Sequence, residues 1–320
     1  MDAFSKVQIL SDILKQDIIP AIEQDYVLYG LPYYSNIGDT LIWEGELELL
    51  KNTPHKCKSV CGWNHYPKRV LPPNLCMLIQ GGGYCGDVWR NAWEYVLNEI
   101  SMNLDRRVIV LPVSVWYNDP VLLEKDRALL SRARHLTLFV RDQQSYDFAI
   151  QHFDNDIRLV PDMAYAINPS SLQQWCLPTS KDCLYLKRID KEFIASDATI
   201  PPTAETKDWP TFDDYSTPEK FVYQVESYYR HFKGKPILSS LFKAITDESY
   251  YRIYRKQMLS RGVQFISQYQ TIYTTRLHGM ILATLLGKQT FYLDNSYGKV
   301  SSFYQTWLSD VDNINPADYE

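Results

Sequence analysis

Arg276 and His278 stand two residues apart in Thr274-Thr275-Arg276-Leu277-His278-Gly279, where a short β-rich run gives way to an apolar helical one. A guanidinium grips a phosphate or carboxylate through two parallel N–H groups, and an imidazole can pass a proton near neutral pH. If a helix begins near them, both side chains reach into the space beyond the preceding strand. A lone histidine is most often an ordinary packed one, but an arginine beside it at a strand end favours chemistry. Three more cations, Arg141, Arg188 and Lys299, also follow strand candidates. Lys299 falls in the first turn of a helix opened by Leu293-Asp294-Asn295-Ser296-Tyr297-Gly298, where positive charge opposes the helix dipole and signals a bound anion. Together the four cations are expected to face one cleft and a ligand carrying at least two negative charges.

Two glycine-bearing turns complete the set. Asn36-Ile37-Gly38-Asp39-Thr40 has two readings of equal weight from spacing alone. One is a helix N-terminus whose free N–H groups meet an anion or a sugar hydroxyl, and the other is a plain helix start capped by Asp39. In Gln80-Gly81-Gly82-Gly83-Tyr84-Cys85-Gly86-Asp87, three successive glycines after a buried strand imply close approach by a ligand or by backbone, with Gly82 and Gly83 as contact points. The run is not a GxGxxG dinucleotide fingerprint, and no GxxxxGK[ST] phosphate loop occurs. Asp154-Asn155-Asp156 precedes a strand and reads as a turn, while Asp213-Asp214 reads as solvated. Cys57 and Cys61, with His55 and His65 nearby, lack the paired spacing of structural zinc sites. No metal and no cofactor is expected.

The elements that must place these residues alternate. Strand candidates at Tyr26–Tyr29, Leu75–Gln80, Val108–Pro112, Thr137–Val140 and Ile157–Val160 are separated by helical stretches, the pattern of a parallel sheet covered by helices. Polar and glycine residues gather after the strands, where doubly wound sheets bind ligands. Periodicity fades between Asn168 and Asp182, so two lobes are expected, residues 1–170 and 171–320. The second lobe is read as strands at Cys183–Arg188, Pro236–Ser239, Ile272–Thr274 and Thr290–Leu293. Its helices are read at Pro218–Phe232, Ser249–Ser260, Leu277–Leu286 and Lys299–Leu308, with Ala195–Pro218 as an inserted loop. A chain of 320 residues suits two such lobes of roughly 150 residues each.

Composition excludes several classes. A formal charge of −5 lacks the basic field of a general nucleic-acid binder. The longest apolar run, Val108 to Tyr117, is half of the ~20 residues a membrane span needs, and the first twenty residues read as an amphipathic helix rather than a signal peptide. Unpaired cysteines fit a reduced compartment, so a cytoplasmic location is expected. The 24 Tyr and 8 Trp offer flat faces of the kind sugar rings favour, and the Ala195–Pro218 insertion together with Trp43, Tyr84, Trp89, Trp116 and Tyr117, and Asp87, are the candidates for sugar contact.

The segments NIGDTLIWEG (Asn36 to Gly45), QGGGYCGD (Gln80 to Asp87), VRDQQS (Val140 to Ser145), VPDMA (Val160 to Ala164), LKRIDKE (Leu186 to Glu192), TRLHGMILATLLG (Thr275 to Gly287) and LDNSYGK (Leu293 to Lys299) resemble the polysaccharide pyruvyl transferase family, in the family's order and over nearly the whole chain. That resemblance implies two Rossmann-like lobes similar to GT-B glycosyltransferases, with the active site between them. It implies phosphoenolpyruvate as donor, and as acceptor a sugar of a bacterial surface polysaccharide or its lipid-linked precursor. Such an acceptor would bring the protein to the inner face of the membrane, although no basic amphipathic segment declares it. In this reading His278 transfers the proton and Arg276 and Lys299 hold phosphate. Arg141 or Arg188 holds carboxylate, and Asn36, Gly38, Asp39, Gly82, Gly83 and Asn295 line the donor. The alternative on the same fold is a glycosyltransferase using a nucleotide-sugar, because fold does not fix chemistry.

Overall fold

The computed structural model describes residues 1–63, 72, 74–190, 192, 200–210, 216–232 and 234–317. Its first half runs α1 (Ala3–Ile18), β1 (Tyr26–Leu31), α2 (Ile37–Leu50), β2 (Cys57–Gly62), β3 (Cys76–Ile79), β4 (Gly82–Gly86), α3 (Arg90–Ser101), β5 (Val108–Trp116), α4 (Pro120–Leu130), β6 (Leu136–Val140), α5 (Gln143–His152) and β7 (Asp156–Leu159). After a short helix α6 (Pro169–Leu172), the second half runs β8 (Lys181–Leu186), β9 (Glu205–Lys207), α7 (Thr217–His231), α8 (Pro236–Ser249), a π-helical stretch Tyr250–Tyr254, α9 (Arg255–Ser267), β10 (Tyr269–Thr274), α10 (Leu277–Leu285), β11 (Gln289–Tyr292), α11 (Lys299–Trp307) and β12 (Ile314–Pro316).

The strands form two open sheets, in the order β2-β1-β3-β5-β6-β7 with β4 also on β5, and β12-β11-β10-β8-β9. Their ladders are parallel, and the helical crossovers cover the faces, giving the expected two-lobed Rossmann-like, GT-B-like α/β fold. The central strands read as unbroken apolar runs because both of their faces are covered. Every residue of β3 and β6 is buried.

Three local readings change. Pro236–Ser239 opens the helix α8 instead of forming a strand, since proline at the first helical position is pre-organised for a helix. The helix start after β1 is capped by Asn36, whose side chain accepts from the Asp39 N–H, and not by Asp39. The glycine run bends only briefly and then continues as β4 beside β5. A side chain on Gly81 would stand 2.4 Å from the Pro112 carbonyl oxygen, and one on Gly86 would stand 1.8 Å from that of Trp116. Backbone crowding therefore accounts for those two glycines. Of the Ala195–Pro218 insertion, residues 200–210 and 216 onward carry β9 and the start of α7. Its other residues, Asp213-Asp214 and His65 lie outside the described residues.

One apolar core runs through both halves of the chain, from Leu10 and Leu14 of α1 through Ile42 and Trp43 of α2 to Val263, Met280 and Phe303 of α9, α10 and α11. A second core lies on the first sheet's other face, where Val110 and Leu138 meet Trp93 and Val96 of α3. The lobes also meet through side-chain contacts. Lys6 of α1 pairs with Asp310 at 2.7 Å, and Tyr33 after β1 stacks on Tyr250 with ring centroids 4.2 Å apart. Among the described residues, no helix is long and apolar enough to cross a membrane.

Candidate active site

The carboxyl ends of both sheets open onto one cleft of about 480 Å³. Each of the four cations reaches it from the end of a strand or the start of a helix, which is where a parallel sheet delivers polar side chains. Arg141 follows β6, Arg188 follows β8, Arg276 caps the start of α10, and Lys299 opens α11. His278, Asn36, Gly38, Asp39, Gly83, Tyr84 and Trp89 line the same cleft.

The cations are not an open positive patch, because each meets a carboxylate. Arg141, 1% exposed, donates from Nη1 to Asp162 Oδ2 at 2.6 Å and from Nε to Ser114 Oγ at 2.9 Å. Arg276 grips Asp208 through Nε and Nη2 and reaches Asp190 at 3.5 Å. Arg188 has all three guanidinium nitrogens engaged, Nε and Nη2 by Asp190 and Nη1 by Glu192. Lys299 donates to Glu192 Oε2 at 2.8 Å, so its position at the helix start is offset by a buried anion. Charge pairing of this kind fixes a long side chain while leaving some donor atoms pointed at the cavity. Arg141 Nη2 and Lys299 Nζ are such atoms, standing 3.2 and 3.3 Å from where a Gly83 side chain would begin. Gly83 thus leaves a small space faced by one cation from each lobe.

His278 enters the cleft from the first turn of α10 and packs on the backbone of Gly38, where a Cβ would come 2.6 Å from its Nδ1. Its Nε2 lies 3.4 Å from Asp162 Oδ2 and makes no aligned hydrogen bond among the described residues. Burial pushes the Asp162 carboxyl up, but His278 and Arg141 outweigh it and hold the group well below the usual carboxylate range. Asp39 behaves oppositely. Burial in the cleft wall raises its pKa despite His278, and its Oδ2 accepts from Tyr34 and from Asn36 Nδ2 at 2.9 and 2.7 Å.

Several sequence candidates have other places. Asp87 is not among the residues lining the cleft, and its Oδ2 accepts the backbone N–H groups of Asn118 and Asp119 at 2.5 and 2.7 Å, so it braces a loop. Gly82, with φ +150°, turns the chain beside the Tyr84 ring and does not line the cavity. Asn295 lies behind Lys299, accepting its backbone N–H and donating to Glu192. Trp116 stacks on Tyr297 at 5.1 Å, outside the cavity lining. Trp43 is fully buried, and Tyr117 donates to buried Asp126, so both belong to packing. Cleft residues to which the sequence assigned no role include Tyr34, Trp63, Asn91, Tyr95, Asp190, Glu192 and Trp209. Asp162 and Glu192 lie within quoted motif segments, whereas Trp63, Tyr95 and Trp209 carry no local signal.

Comparison with known proteins places the chain in a family. Residues 36–297 match the family described as polysaccharide pyruvyl transferase. The chain is 29% identical over 315 residues to the putative pyruvyl transferase EpsO of Bacillus subtilis, covering 95% of this chain and 91% of that protein. It is 26% identical over 296 residues to pyruvyl transferase 1 of Schizosaccharomyces pombe, covering 88% and 69%. A crystal structure of a functionally uncharacterised Klebsiella pneumoniae protein superposes with a TM-score of 0.59 at 16% identity, over 92% of this chain and 93% of that one, a likeness of fold. With the motifs falling around one cleft and the match spanning most of its length, the chain belongs to the polysaccharide pyruvyl transferase family and is a transferase of pyruvyl groups in polysaccharide biosynthesis.

Proposed function

We propose that the donor is phosphoenolpyruvate and the acceptor a sugar, of galactose type and free or lipid-linked, which leaves as a cyclic pyruvate ketal. The observation that carries this reading is the space at Gly83 faced by Arg141 Nη2 and Lys299 Nζ, with His278 in the same cleft. A donor bearing a phosphate and a carboxylate needs two cationic contacts and a neighbouring proton source. In this scheme the phosphate sits between Lys299 and Arg141, and Arg276 holds the carboxylate or the phosphate flank. Arg188, fully engaged by carboxylates, orients its neighbours. Burial in the cleft wall raises the pKa of Asp39 against the lowering effect of His278, Arg141 and Lys299.

His278 protonates the methylene carbon, leaving an electron-poor centre at the enol carbon. An acceptor hydroxyl oxygen bonds there, the bond to the phosphate oxygen breaks, and a second hydroxyl closes the ketal. Of the two hydroxyl protons lost, one balances the new methyl group through His278 and the other leaves with inorganic phosphate. Asp162, ionised and 3.4 Å from Nε2, stabilises the imidazolium that carries the proton. The aromatic side of the cleft, with Tyr34, Trp63, Tyr84 and Tyr95, suits an acceptor ring.

The test is incubation with phosphoenolpyruvate and aryl or lipid-linked galactosides, measuring phosphate release and the mass gain of one pyruvyl ketal. Thermal stabilisation by nucleotide-sugars and none by phosphoenolpyruvate would reverse the donor assignment.

A further inference from the structure

We infer that Glu192 and Trp89 are positioning residues that clasp the two lobes at the donor site and set the affinity for the donor; the inference rests on the reading above. Glu192 is 2% exposed and sits in the C-terminal lobe. Its Oε2 accepts from Arg188 Nη1 at 2.6 Å, Lys299 Nζ at 2.8 Å, Asn295 Nδ2 at 3.0 Å and the Tyr297 hydroxyl at 3.1 Å. Its Oε1 accepts from Trp89 Nε1, in the N-terminal lobe, at 2.7 Å. One carboxylate therefore ties two cations of the cleft to the wall opposite them.

A buried carboxylate is costly unless its lone pairs are met, and here five donors meet it. Burial opposes its ionisation, but Lys299 and Arg188 prevail and hold it well below the usual glutamate range. The anion is thus a permanent part of the site. Two details point to a clasp across the cleft rather than to packing within one lobe. Tyr297, which donates to Oε2, also stacks on Trp116 of the first lobe, so the contact is doubled. Lys299 Nζ, held by Glu192, faces Gly83 and Arg141 of that same lobe. Shifting the clasp would move Lys299 relative to Arg141, and a phosphate held between the two would lose one of its contacts. Trp89 thereby acts through its N–H edge rather than as a stacking surface for a sugar.

Trp89→Phe separates these roles, because it keeps an aromatic ring in the cleft while removing the indole N–H that donates to Glu192; Glu192→Gln keeps shape and removes charge. Titration of phosphoenolpyruvate by calorimetry, with steady-state kinetics on the same variants, reads the effect. Losing one charge-assisted hydrogen bond is expected to weaken donor binding about tenfold in Trp89→Phe, and loss of the charge to weaken it further in Glu192→Gln. The donor KM rises accordingly, while kcat and the acceptor KM of Trp89→Phe stay near wild type. Wild-type protein that binds phosphoenolpyruvate alongside a Trp89→Phe variant that binds it equally well would overturn the clasp alone. A raised acceptor KM with unchanged donor binding would also overturn it, by making Trp89 a sugar contact. If wild type itself binds no phosphoenolpyruvate, the donor assignment falls and this inference falls with it.

Discussion

Nε2 of His278, carried by the C-terminal lobe, lies 3.4 Å from Oδ2 of Asp162, carried by the N-terminal lobe, and the same oxygen takes Arg141 Nη1 at 2.6 Å. The proposed proton carrier and a proposed donor ligand are thus referenced to one buried anion. His278→Ala is expected to lose about 10²–10⁴-fold in kcat with its fold intact, the range for a positioned acid or base. Asp162→Asn should lose activity too, and it should also raise the donor KM because Arg141 is released. Phosphate-release kinetics on both variants check this, and a folded His278→Ala enzyme with near-normal turnover would remove the histidine from the mechanism.

Arg276→Lys is expected to raise the donor KM by about tenfold or more, a loss of ~1.4 kcal/mol. Lysine keeps the charge but cannot hold Asp208 through two nitrogens and still present a third to the cleft. Unchanged donor KM and kcat would show that the fork does not serve the donor.

Gly83→Ala should block donor binding while leaving the melting temperature close to wild type. The added methyl would sit 3.2 Å from Arg141 Nη2 and 3.3 Å from Lys299 Nζ, the ends of side chains that can give slightly, inside the space assigned to the donor anion. Calorimetry against phosphoenolpyruvate reads the loss. A variant that binds as wild type does would place the donor elsewhere in the cleft.

Stability should depend on pH through two opposed sets of carboxyls. Glu46 of α2 is fully buried, accepts the Gly81 N–H at 3.1 Å and has its pKa pushed well up by burial. A raised carboxyl pKa means that the folded chain holds a proton the unfolded chain releases, so this contribution to stability declines as pH rises above ~4.3. Glu46→Gln has no such proton to lose, and its melting temperature relative to wild type should climb between about pH 5 and 8. A flat difference across that range would show that Glu46 ionises normally. Asp162 and Glu192 have lowered pKa values and act with the opposite sign. Their contribution is complete above ~4 and is lost as pH falls below it.

The alternation of strands and helices, and the gathering of cations after strands, were legible because both follow from short-range patterning. Arg276 and His278 share one turn, and Lys299 marks itself by opposing a helix dipole. What spacing does not reveal is pairing. Asp208 is 68 residues from Arg276, and Glu192 is 107 from Lys299, so no local pattern shows that the cations arrive already matched. The edge strand β2 is hidden for a different reason. Cys-Lys-Ser-Val-Cys-Gly is exposed over its first half and lacks the apolar run of a central strand. Asp87 misleads because it follows a glycine-rich segment yet turns to the next loop.

The apolar core that passes from α1 through α2 into α9, α10 and α11 bears on how this chain could be divided or recombined. Split between the two sheets, each half would expose to water the faces that now bury Trp43, Met280 and Phe303, and neither piece would stay in solution. A chimera that exchanged one lobe with a relative would have to carry the facing helices along with the sheet. The protein thus has two sheets but one shared interior, and changes on either side of the cleft must remain compatible with it.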